Sequence, residues 1–442
     1  MTRPNILFFL PDQHRPDWLG SHPALPLRTP NLDRLADEGV RFTQAFTPSP
    51  LCSPARACLA TGLSYADCGV RNNGQNTPLT LPTYMQRLRD GGYQVAGVGK
   101  FDLHKPDHDW GLDGKNLLEA YGFTDGIDNE GKGDAITSYM RNGMAPRGPY
   151  MQYLQERGLV DRHLAMYEAH LGQPNWLNFA AVTTLPDEAY CDNWVARNGR
   201  RFLEGFPPDE PWHLVVNFVG PHGPFDVTPA MRARWEQVDI PPPHDNAAGH
   251  DPEVRARRQN YAAMIENIDR HVGEMIRLVE ERGERERTLI VYASDHGEML
   301  GDHGRWAKSV WHTPSTGIPL IVAGPGVRQG IVSEALVSLH DLAATFLDYA
   351  GADSLPNMDA LSLRPVLEGR ASAHRPYVLS GLDSWRMVYD GRHKLVVGAG
   401  PTPLLYDLQR DPLEDDDIAA SQPAIVDRLR PLVDKGATPG GA

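Results

Sequence analysis

Five short runs of apolar residues alternate with stretches of helical periodicity along most of the chain. The runs lie at 5–10, 93–98, 212–219, 288–293 and 319–323. Uninterrupted apolar runs of this length are typical of strands that are buried on both faces, and their alternation with helices is typical of a mostly parallel sheet. We therefore predict an α/β fold in which helices cover both faces of one large sheet.

The clearest helical period lies at 261–281. Its apolar residues recur three or four positions apart, which places them on one face of a helix. They are Met264, Ile268, Val272, Met275, Ile276 and Val279. We predict that this face packs against the sheet.

A polar residue follows the end of each of the first four predicted strands. These residues are Asp12, Lys100, His222 and Asp295. In open α/β sheets, ligands bind beyond the carboxyl ends of the strands. We therefore expect the four side chains to lie in one shared site.

The segment 107–198 contains few strand-like runs and is rich in aromatic residues and histidines. They include Trp110, Tyr121, Tyr139, Tyr150, Tyr153, His163, His170 and Trp176. The segment is either a surface insertion or a cap that sets specificity. We assign it as a loop-rich specificity insertion within a catalytic domain that spans residues 1–370.

Residues 371–442 carry short strand-like pieces followed by a helical pattern. The strand-like pieces lie at 387–389, 393–397 and 404–408. The turn Asp390-Gly391 between the first two is typical of a hairpin. With a helix predicted at 423–433 and a glycine-rich tail after it, this part of the chain is predicted as a small C-terminal α+β domain.

The composition is that of a globular protein, with 41% hydrophobic and 23% charged residues in a chain of 442. The formal net charge of -14 argues against nucleic acid and anionic membranes as the main partners, because both require clustered lysine and arginine. An anion-binding site in this chain has to be built locally from a few cations.

The apolar run at 6–11 is shorter than the apolar region of a signal peptide, and no run reaches the length of a membrane span. The four cysteines, Cys52, Cys58, Cys68 and Cys191, lack the C-x-x-C spacing of a metal site. We therefore expect a cytoplasmic protein without a membrane partner.

Two pairs of polar residues at strand ends have the chemistry of a metal site. Asp12-Gln13 and Asp295-His296 offer the carboxylate and amide oxygens that a hard divalent cation prefers. Either pair alone is more often part of a turn. The pairs gain weight only when the stretch C-S-P-A-R, Cys52 to Arg56, is considered with them.

The C-S-P-A-R stretch is one of a series of motifs that occur in a fixed order. The others are N-I-L-F-F-L-P-D-Q at 5–13, G-V-G-K at 97–100, G-P-H-G-P-F at 220–225, Y-A-S-D-H-G at 292–297, Trp306 with Lys308, and L-Y-D-L-Q-R-D-P at 405–412. This series covers nearly the whole chain and resembles the type I sulfatases, the formylglycine-dependent family of the alkaline phosphatase superfamily. The metal pairs are nearest to its cytoplasmic choline-sulfatase and phosphonate monoester hydrolase branch.

The resemblance implies an alkaline-phosphatase-like fold and a modified residue. In the family, a formylglycine-generating enzyme oxidises the cysteine at the position of Cys52 to Cα-formylglycine, whose hydrate carries two hydroxyls. One hydroxyl attacks sulfur to form a covalent sulfo-enzyme intermediate, and the other is needed to release sulfate. Arg56 is expected to stabilise the alkoxide form.

The resemblance also implies the ligands of one divalent metal ion. They are Asp12, Gln13, Asp295 and His296, with modified Cys52 completing the set. Many sulfatases carry Asp where Gln13 stands. With one negative charge fewer, calcium is favoured and manganese is the second choice.

The substrate contacts implied by the resemblance fall on four residues. Lys100 and Lys308 resemble the two lysines that bind the sulfate oxygens as compact point charges. His222 resembles the histidine that donates to the sulfate or to the leaving oxygen. Asn73 matches a substrate-facing asparagine of the phosphonate hydrolase branch, although the N-G pair that it begins is also simply a turn.

The chain departs from the family pattern in two places. The family commonly reads G-K-x-H, but Asp102 stands at the histidine position and His104 follows two residues later. We predict that His104 is the base that releases sulfate, because a carboxylate beside Lys100 would be ion-paired; the alternative is that His104 only packs under the cap. The family's glutamate and arginine after the second lysine correspond to Thr313 and Gly317.

These patterns favour a sulfatase that acts on a small anionic sulfate ester. The alternative on the same scaffold is a phosphonate monoester or phosphodiester hydrolase. A third interpretation, an inactive binding protein, is opposed by the complete set of Cys52, Arg56, both metal pairs and both lysines. A thiol hydrolase is not favoured, because no Cys-His signature surrounds Cys52. The sequence leaves the alcohol portion of the substrate and homo-oligomer formation open.

Overall fold

The computed structural model describes residues 3–435 of the chain. Its strands are β1 (Asn5–Phe9), β2 (Val40–Phe42), β3 (Ala45–Phe46), β4 (Gln94–Gly99), β5 (Asp125–Asp128), β6 (Ala180–Val182), β7 (Trp212–Asn217), β8 (Phe225–Val227), β9 (Thr288–Ala293), β10 (Leu320–Ala323), β11 (Ile331–Ser333), β12 (Val337–Ser338), β13 (Val378–Leu382), β14 (Trp385–Tyr389), β15 (His393–Val397) and β16 (Leu404–Asp407). The five predicted strands of the large sheet correspond to β1, β4, β7, β9 and β10.

The α-helices are α1 (Pro30–Asp37), α2 (Cys52–Thr61), α3 (Tyr84–Asp90), α4 (Leu118–Tyr121), α5 (Lys132–Arg141), α6 (Pro149–Glu156), α7 (Val160–Ala165), α8 (Cys191–Gly205), α9 (Pro229–Trp235), α10 (Pro252–Glu281), α11 (Thr313–Thr316), α12 (Asp341–Ala350), α13 (Arg364–Leu367) and α14 (Pro423–Lys435). Single 3₁₀ turns occur at Lys105–Asp107, Asp187–Ala189, Arg285–Arg287 and Asp302–Gly304. Helices and strands thus alternate through most of the chain.

The central layer is an eight-stranded sheet with the order β11-β2-β10-β9-β1-β7-β4-β5. The strands β9, β1, β7, β4 and β5 run parallel to one another, whereas β10 is antiparallel to both of its neighbours. The predicted α/β fold with a large, mostly parallel sheet is therefore confirmed.

Helices cover both faces of this sheet, as the apolar runs predict. Along β1, Ile6 and Phe8 pack into a core with α2, α3 and α12, whereas Leu7 and Phe9 pack into a second core with α1, α8 and α10. Alternate side chains of a strand point to opposite faces, so a strand that is covered twice must be apolar throughout.

The predicted helix at 261–281 is the larger part of α10, which begins earlier, at Pro252. Asp251 caps its N-terminus by accepting a hydrogen bond from the backbone N–H of Glu253 at 2.7 Å, and proline suits the first helical position. The sequence signal begins too late because the first turns bury polar side chains, such as Arg258 and Gln259, that break the apolar period.

The C-terminal region forms a four-stranded antiparallel sheet, β13-β14-β15-β16, with α14 packed against it. The predicted hairpin turn is confirmed: it joins β14 to β15, and Gly391 adopts the left-handed φ of 92° that such a turn requires. Strand β13 was not predicted, because its sequence V-L-S-G-L is short and includes glycine. The predicted glycine-rich tail lies largely outside the described residues.

The segment 107–198 consists of short helices and two short strands joined by turns. Parts of the segment belong to the main fold. Strand β5 is the edge strand of the central sheet, beside β4, and helix α8, in which the predicted boundary at 198 falls, packs on this sheet. The role of the segment in specificity stays a prediction.

Within residues 3–435, no helix combines the length and the apolar character needed to cross a lipid bilayer. The cytoplasmic location inferred from the sequence stays a prediction.

Candidate active site

The site lies where the carboxyl ends of β1, β4, β7 and β9 meet the N-terminus of α2. Because these strands are parallel, the residues that follow them emerge at the same edge of the sheet. Lys100 Nζ contacts the Asp12 carboxylate, and Arg56 Nε donates to Asp295 Oδ2 at 3.0 Å. The loop that carries His222 reaches the same place through a bridge between Asp12 and Pro221.

Four buried side chains at this edge point their donor atoms toward one another. The Asp12 and Asp295 carboxylates, the Cys52 thiol and His296 Nε2 all lie within 4.8 Å of each other. His296 Nε2 is 3.3 Å from Cys52 Sγ and 3.6–3.7 Å from the two carboxylates. Two buried carboxylates that face one point repel each other unless a cation lies near them, so this donor set fits a divalent metal ion.

The orientation of His296 supports the same interpretation. Its Nδ1 lies 3.0 Å from the backbone carbonyl oxygen of Gly297. A carbonyl only accepts, so Nδ1 carries the hydrogen, and the lone pair on Nε2 is directed toward Asp12, Asp295 and Cys52. This is the tautomer of a histidine that binds metal through Nε2.

Gln13 is held next to this group in a strained conformation. Its φ is +71°, in the left-handed region that non-glycine residues rarely adopt. The backbone N–H donates to Asp295 Oδ1 at 3.0 Å. The side-chain amide lies between Glu298, which accepts from Nε2, and Lys308, which donates to Oε1. The metal-ligand role of Gln13 stays a prediction.

Cys52 is the first residue of α2 and is 1% exposed. The positive end of a helix dipole stabilises negative charge at this position. Asn73 lies beside it, since its Oδ1 accepts from the backbone N–H of Ser53 at 3.0 Å and satisfies one free donor of the helix start. Asn73 therefore lies at the start of the helix that carries Cys52, and its role as a substrate-facing residue stays a prediction.

The electrostatic environment of residue 52 is positive. Burial and Asp12 raise the pKa of the Cys52 thiol, but Lys100, Lys308 and His296 outweigh them, so the pKa lies below its ordinary value. Lys100 Nζ is 3.5 Å from the sulfur. A local group of cations is thus built around one side chain of an overall acidic protein.

The guanidinium of Arg56 is held in place beside the metal-ligand group by several hydrogen bonds. Besides Asp295, its guanidinium donates to the backbone carbonyl of Lys100 and to Asn217 Oδ1, the latter at 3.3 Å. Nη2 lies 3.7 Å from Asp12 Oδ2. Sequence reasoning missed Asn217, although it is the last residue of β7 and the rule about polar residues at strand ends could have found it. Glu298, which positions Gln13, follows Asp295 by three residues and was also missed.

The structure places His104 beside Asp128, and its role as the base, like the alternative that it only packs under the cap, stays a prediction. In the described part of the chain, the His104 nitrogens form no hydrogen bond to Cys52; Nε2 is 3.1 Å from Asp128 Oδ2, and the ring stacks on Tyr121. Burial lowers the pKa of His104, but Asp128 and Asp107 outweigh burial and hold it above its ordinary value.

Asp102, which stands at the histidine position of the family motif, lies beside Lys100. Its Oδ2 lies 3.1 Å from Lys100 Nζ and 3.2 Å from Lys105 Nζ. Burial raises the pKa of Asp102, but the two lysines outweigh it and hold this pKa well below its usual range. The carboxylate is therefore ion-paired, as the sequence suggested, and is a weak base.

Replacing His104 by alanine is expected to leave kcat within about fivefold of the wild type, since the ring contacts Asp128 and not residue 52. The free energy of unfolding should fall by about 1–3 kcal/mol, because Asp128 loses its buried partner. Steady-state kinetics and chemical denaturation measure the two effects. Sulfate trapped on residue 52 of the variant, seen by mass spectrometry, would instead establish His104 as the base.

A cavity of about 500 Å³ opens beside Gln13 and His222. Its wall is mostly aromatic and amide in character, and includes Asn175, Trp176, Asn178, Phe225, Glu298 and Trp306. The cavity is large enough for a small alcohol portion next to the metal group. The residues of the predicted specificity segment that line it are Asn175, Trp176, Leu177 and Asn178.

Comparisons with known proteins agree with this geometry. Residues 4–352 match the model of the Sulfatase family, and residues 301–430 match that of the N-sulphoglucosamine sulphohydrolase C-terminal domain. The chain is 26% identical to an arylsulfatase of Clostridium perfringens, over 93% of this chain and 89% of the relative. It is 28% identical to a choline-sulfatase of Rhizobium meliloti, over 96% and 84%.

Among solved structures, the phosphonate monoester hydrolase of Agrobacterium radiobacter matches with a TM-score of 0.79 and 25% identity, and the match covers 98% of this chain and 96% of that one. The fold is thus shared over nearly the whole length of both chains.

Proposed function

The chain belongs to the sulfatase family and is a sulfuric ester hydrolase, and we propose that it acts through a formylglycine made from Cys52 and one divalent metal ion. The observation that carries this proposal is the group of Asp12, Cys52, Asp295 and His296 at the strand ends. A thiol surrounded by metal ligands and cations is the setting that a metal-activated nucleophile requires.

The two groups absent from the bare polypeptide supply the reactive chemistry. A formylglycine hydrate at residue 52 would supply two hydroxyls, one as the nucleophile and one for the release of sulfate. A divalent cation, for which we propose calcium, would lower the pKa of a hydroxyl and polarise the ester. Asp12, Asp295, His296 and Gln13 are the residues that would hold that cation.

The remaining residues bind and orient the substrate. Lys100 and Lys308 lie near the metal group and supply positive charge for the sulfate oxygens. Arg56, held by Asp295 and Asn217, keeps positive charge below residue 52 without needing to move.

We propose that His222 acts at the leaving oxygen. Its Nδ1 donates to the carbonyl oxygen of Gly223 at 2.6 Å, which leaves Nε2 as the nitrogen available to the substrate. Burial, and to a smaller extent the charge of Lys308, lowers the pKa of His222, so the neutral ring is favoured before the substrate binds. A bound anionic ester counteracts Lys308 and favours the protonated ring that can donate to the departing alcohol.

The cavity beside His222 is where we place the alcohol portion. Maturation requires a formylglycine-generating enzyme, which we propose as the partner during synthesis of the active protein. In the mature enzyme, the acidic surface outside the site does not attract the substrate, so binding depends on the local cations.

A second function, hydrolysis of phosphonate monoesters or phosphodiesters, is favoured by one observation. Gln13 stands where many sulfatases carry a further carboxylate, and the resulting Asp-Gln/Asp-His set is nearer to the choline-sulfatase and phosphonate monoester hydrolase branch. Lys308 donates to the Gln13 side-chain oxygen. The structural match to a phosphonate monoester hydrolase agrees with this alternative.

The two functions are separated by comparing an aryl sulfate with an aryl phosphonate monoester that has the same leaving phenol. We expect kcat/KM for the sulfate to be at least about tenfold higher, since the chain belongs to the sulfatase family and both substrates carry a single negative charge. The rate of phenol release from each substrate is measured with the same preparation of formylglycine-bearing enzyme. A higher kcat/KM for the phosphonate would assign the second function.

A further inference from the structure

Three side chains from distant parts of the chain meet at the surface, outside the catalytic site. His244 lies in the loop before α10, His303 in the loop after β9, and Asp415 in the loop after β16. We call these three residues the His-Asp cluster. Their ligand atoms lie within 4.8 Å of one another, and both histidines are half-buried.

His303 presents a lone pair to carboxylates. Its Nε2 is 2.9 Å from the backbone carbonyl oxygen of Leu413, which can only accept, so Nε2 carries the hydrogen. Nδ1 then faces Asp415 Oδ1 at 3.9 Å and Asp245 Oδ2 at 4.0 Å, both too far for a hydrogen bond. A lone pair opposite two carboxylates is unfavourable until a cation lies between them.

His244 also contacts the Asp415 carboxylate, through its Nε2. Its Nε2 lies 2.8 Å and 3.0 Å from the two carboxylate oxygens of Asp415. Carboxylate oxygens only accept, so this nitrogen carries a hydrogen, which a bound metal ion would replace. Backbone hydrogen bonds hold the two histidine loops together: His303 N–H donates to the His244 carbonyl, and His244 N–H donates to Asp302 Oδ1, each at 2.9 Å. The donor atoms are therefore positioned before any ion binds.

The spacing suits a small tetrahedral ion. Ligand atoms roughly 2.0–2.1 Å from a tetrahedral zinc ion lie about 3.3 Å from one another. The observed separations of Asp415 Oδ1, 2.8 Å from His244 Nε2 and 3.9 Å from His303 Nδ1, bracket this value. Small rotations of the three side chains would bring their ligand atoms to the separations of a tetrahedral site.

We propose that the His-Asp cluster binds one zinc ion, or another borderline transition metal, with Asp245 or water as the fourth ligand. Two imidazoles and one carboxylate are a zinc-type donor set. Calcium, which takes oxygen ligands, is disfavoured here by the two nitrogens. The site is thus chemically distinct from the oxygen-rich group around residue 52.

An ion at this place ties the C-terminal domain to the catalytic domain. Asp415 follows Glu414, whose carboxylate pairs with Lys394 at 2.7 Å and accepts from the Thr313 backbone N–H. His303 precedes the sulfate-binding Lys308 by five residues on the same loop. A metal ion bound to the His-Asp cluster would therefore restrict the motion of the loop that carries Lys308.

Equilibrium dialysis of the full chain against zinc, with calcium in large excess, tests this proposal. The wild type is expected to bind one zinc ion per chain more than His244→Ala or Asp415→Asn. In each variant, zinc at the cluster should bind at least about a hundredfold more weakly, since loss of even an outer partner of a ligand costs 10–100-fold. Zinc should also raise the unfolding midpoint of the wild type more than that of either variant.

His250→Ala is the matched control, because it removes an exposed histidine from the same loop. We expect it to bind as much zinc as the wild type. Equal zinc content in the wild type and Asp415→Asn, whose side chain is exposed and whose replacement leaves the fold intact, would overturn the proposal. So would displacement of the additional zinc by calcium. Neither result bears on the metal group around residue 52.

Discussion

Replacing Cys52 by alanine is expected to lower kcat by roughly 10⁴-fold or more, because the variant has no side chain from which the nucleophile can be made. The rest of the site should persist, since Arg56 is held by Asp295 and Asn217 independently of the thiol. Steady-state hydrolysis of an aryl sulfate, with protein from a host that contains the maturation enzyme, measures the effect.

Cys58→Ala is the matched control for this substitution. Cys58 lies on the same helix α2 and is also fully buried, but it does not belong to the metal group. We expect normal kcat and a loss of about 1 kcal/mol in the free energy of unfolding. Peptide mapping of the wild type should show the aldehyde at Cys52 and free thiols at Cys58, Cys68 and Cys191. Full activity with an unmodified Cys52 would exclude the proposed mechanism.

Replacing Asp295 by asparagine is expected to lower metal affinity and kcat by at least about a hundredfold. The substitution keeps the shape of the side chain but removes one of two buried carboxylates from the donor set. It also removes the charge that faces Arg56 Nε. Metal content after dialysis and kcat at saturating calcium measure the two losses separately.

Chelation of the wild type should produce the same loss of activity, and added calcium should restore it. Calcium should raise the unfolding midpoint of the wild type but not that of Asp295→Asn, because a ligand stabilises only the state that binds it. Asp353→Asn, at an exposed position, controls for the change of charge. An Asp295→Asn enzyme with wild-type metal content and turnover would remove Asp295 from the site.

The strands and the place of the site could be predicted because both depend on local patterns. A strand covered on both faces has to be apolar at every position, so β1, β7 and β9 stand out as continuous runs. Once the strands are taken as parallel, Asp12 and Asp295 must emerge at the same edge, although 283 positions separate them in the sequence.

The contact of His104 with Asp128 could not be predicted in this way. Two residues beyond Asp102, the direction of the chain depends on the 3₁₀ turn at Lys105–Asp107 and on Asp102, whose φ is +53°. The turn carries the ring toward Asp128 at the end of β5, a strand that the sequence did not reveal. The contact between His104 and Asp128 therefore depends on the fold and not on the proximity of His104 to Lys100 along the chain.

The sequence by itself determined five of the eight strands of the central sheet and the side chains that follow four of them, because apolar runs and strand ends are local properties. Only the tertiary structure decided the partners of those side chains and brought His244, His303 and Asp415 together. Their loops follow three separate elements, and no spacing along the chain encodes the distance between them. Contacts of this kind arise from the packing of whole elements, whose relative positions depend on every core residue at once.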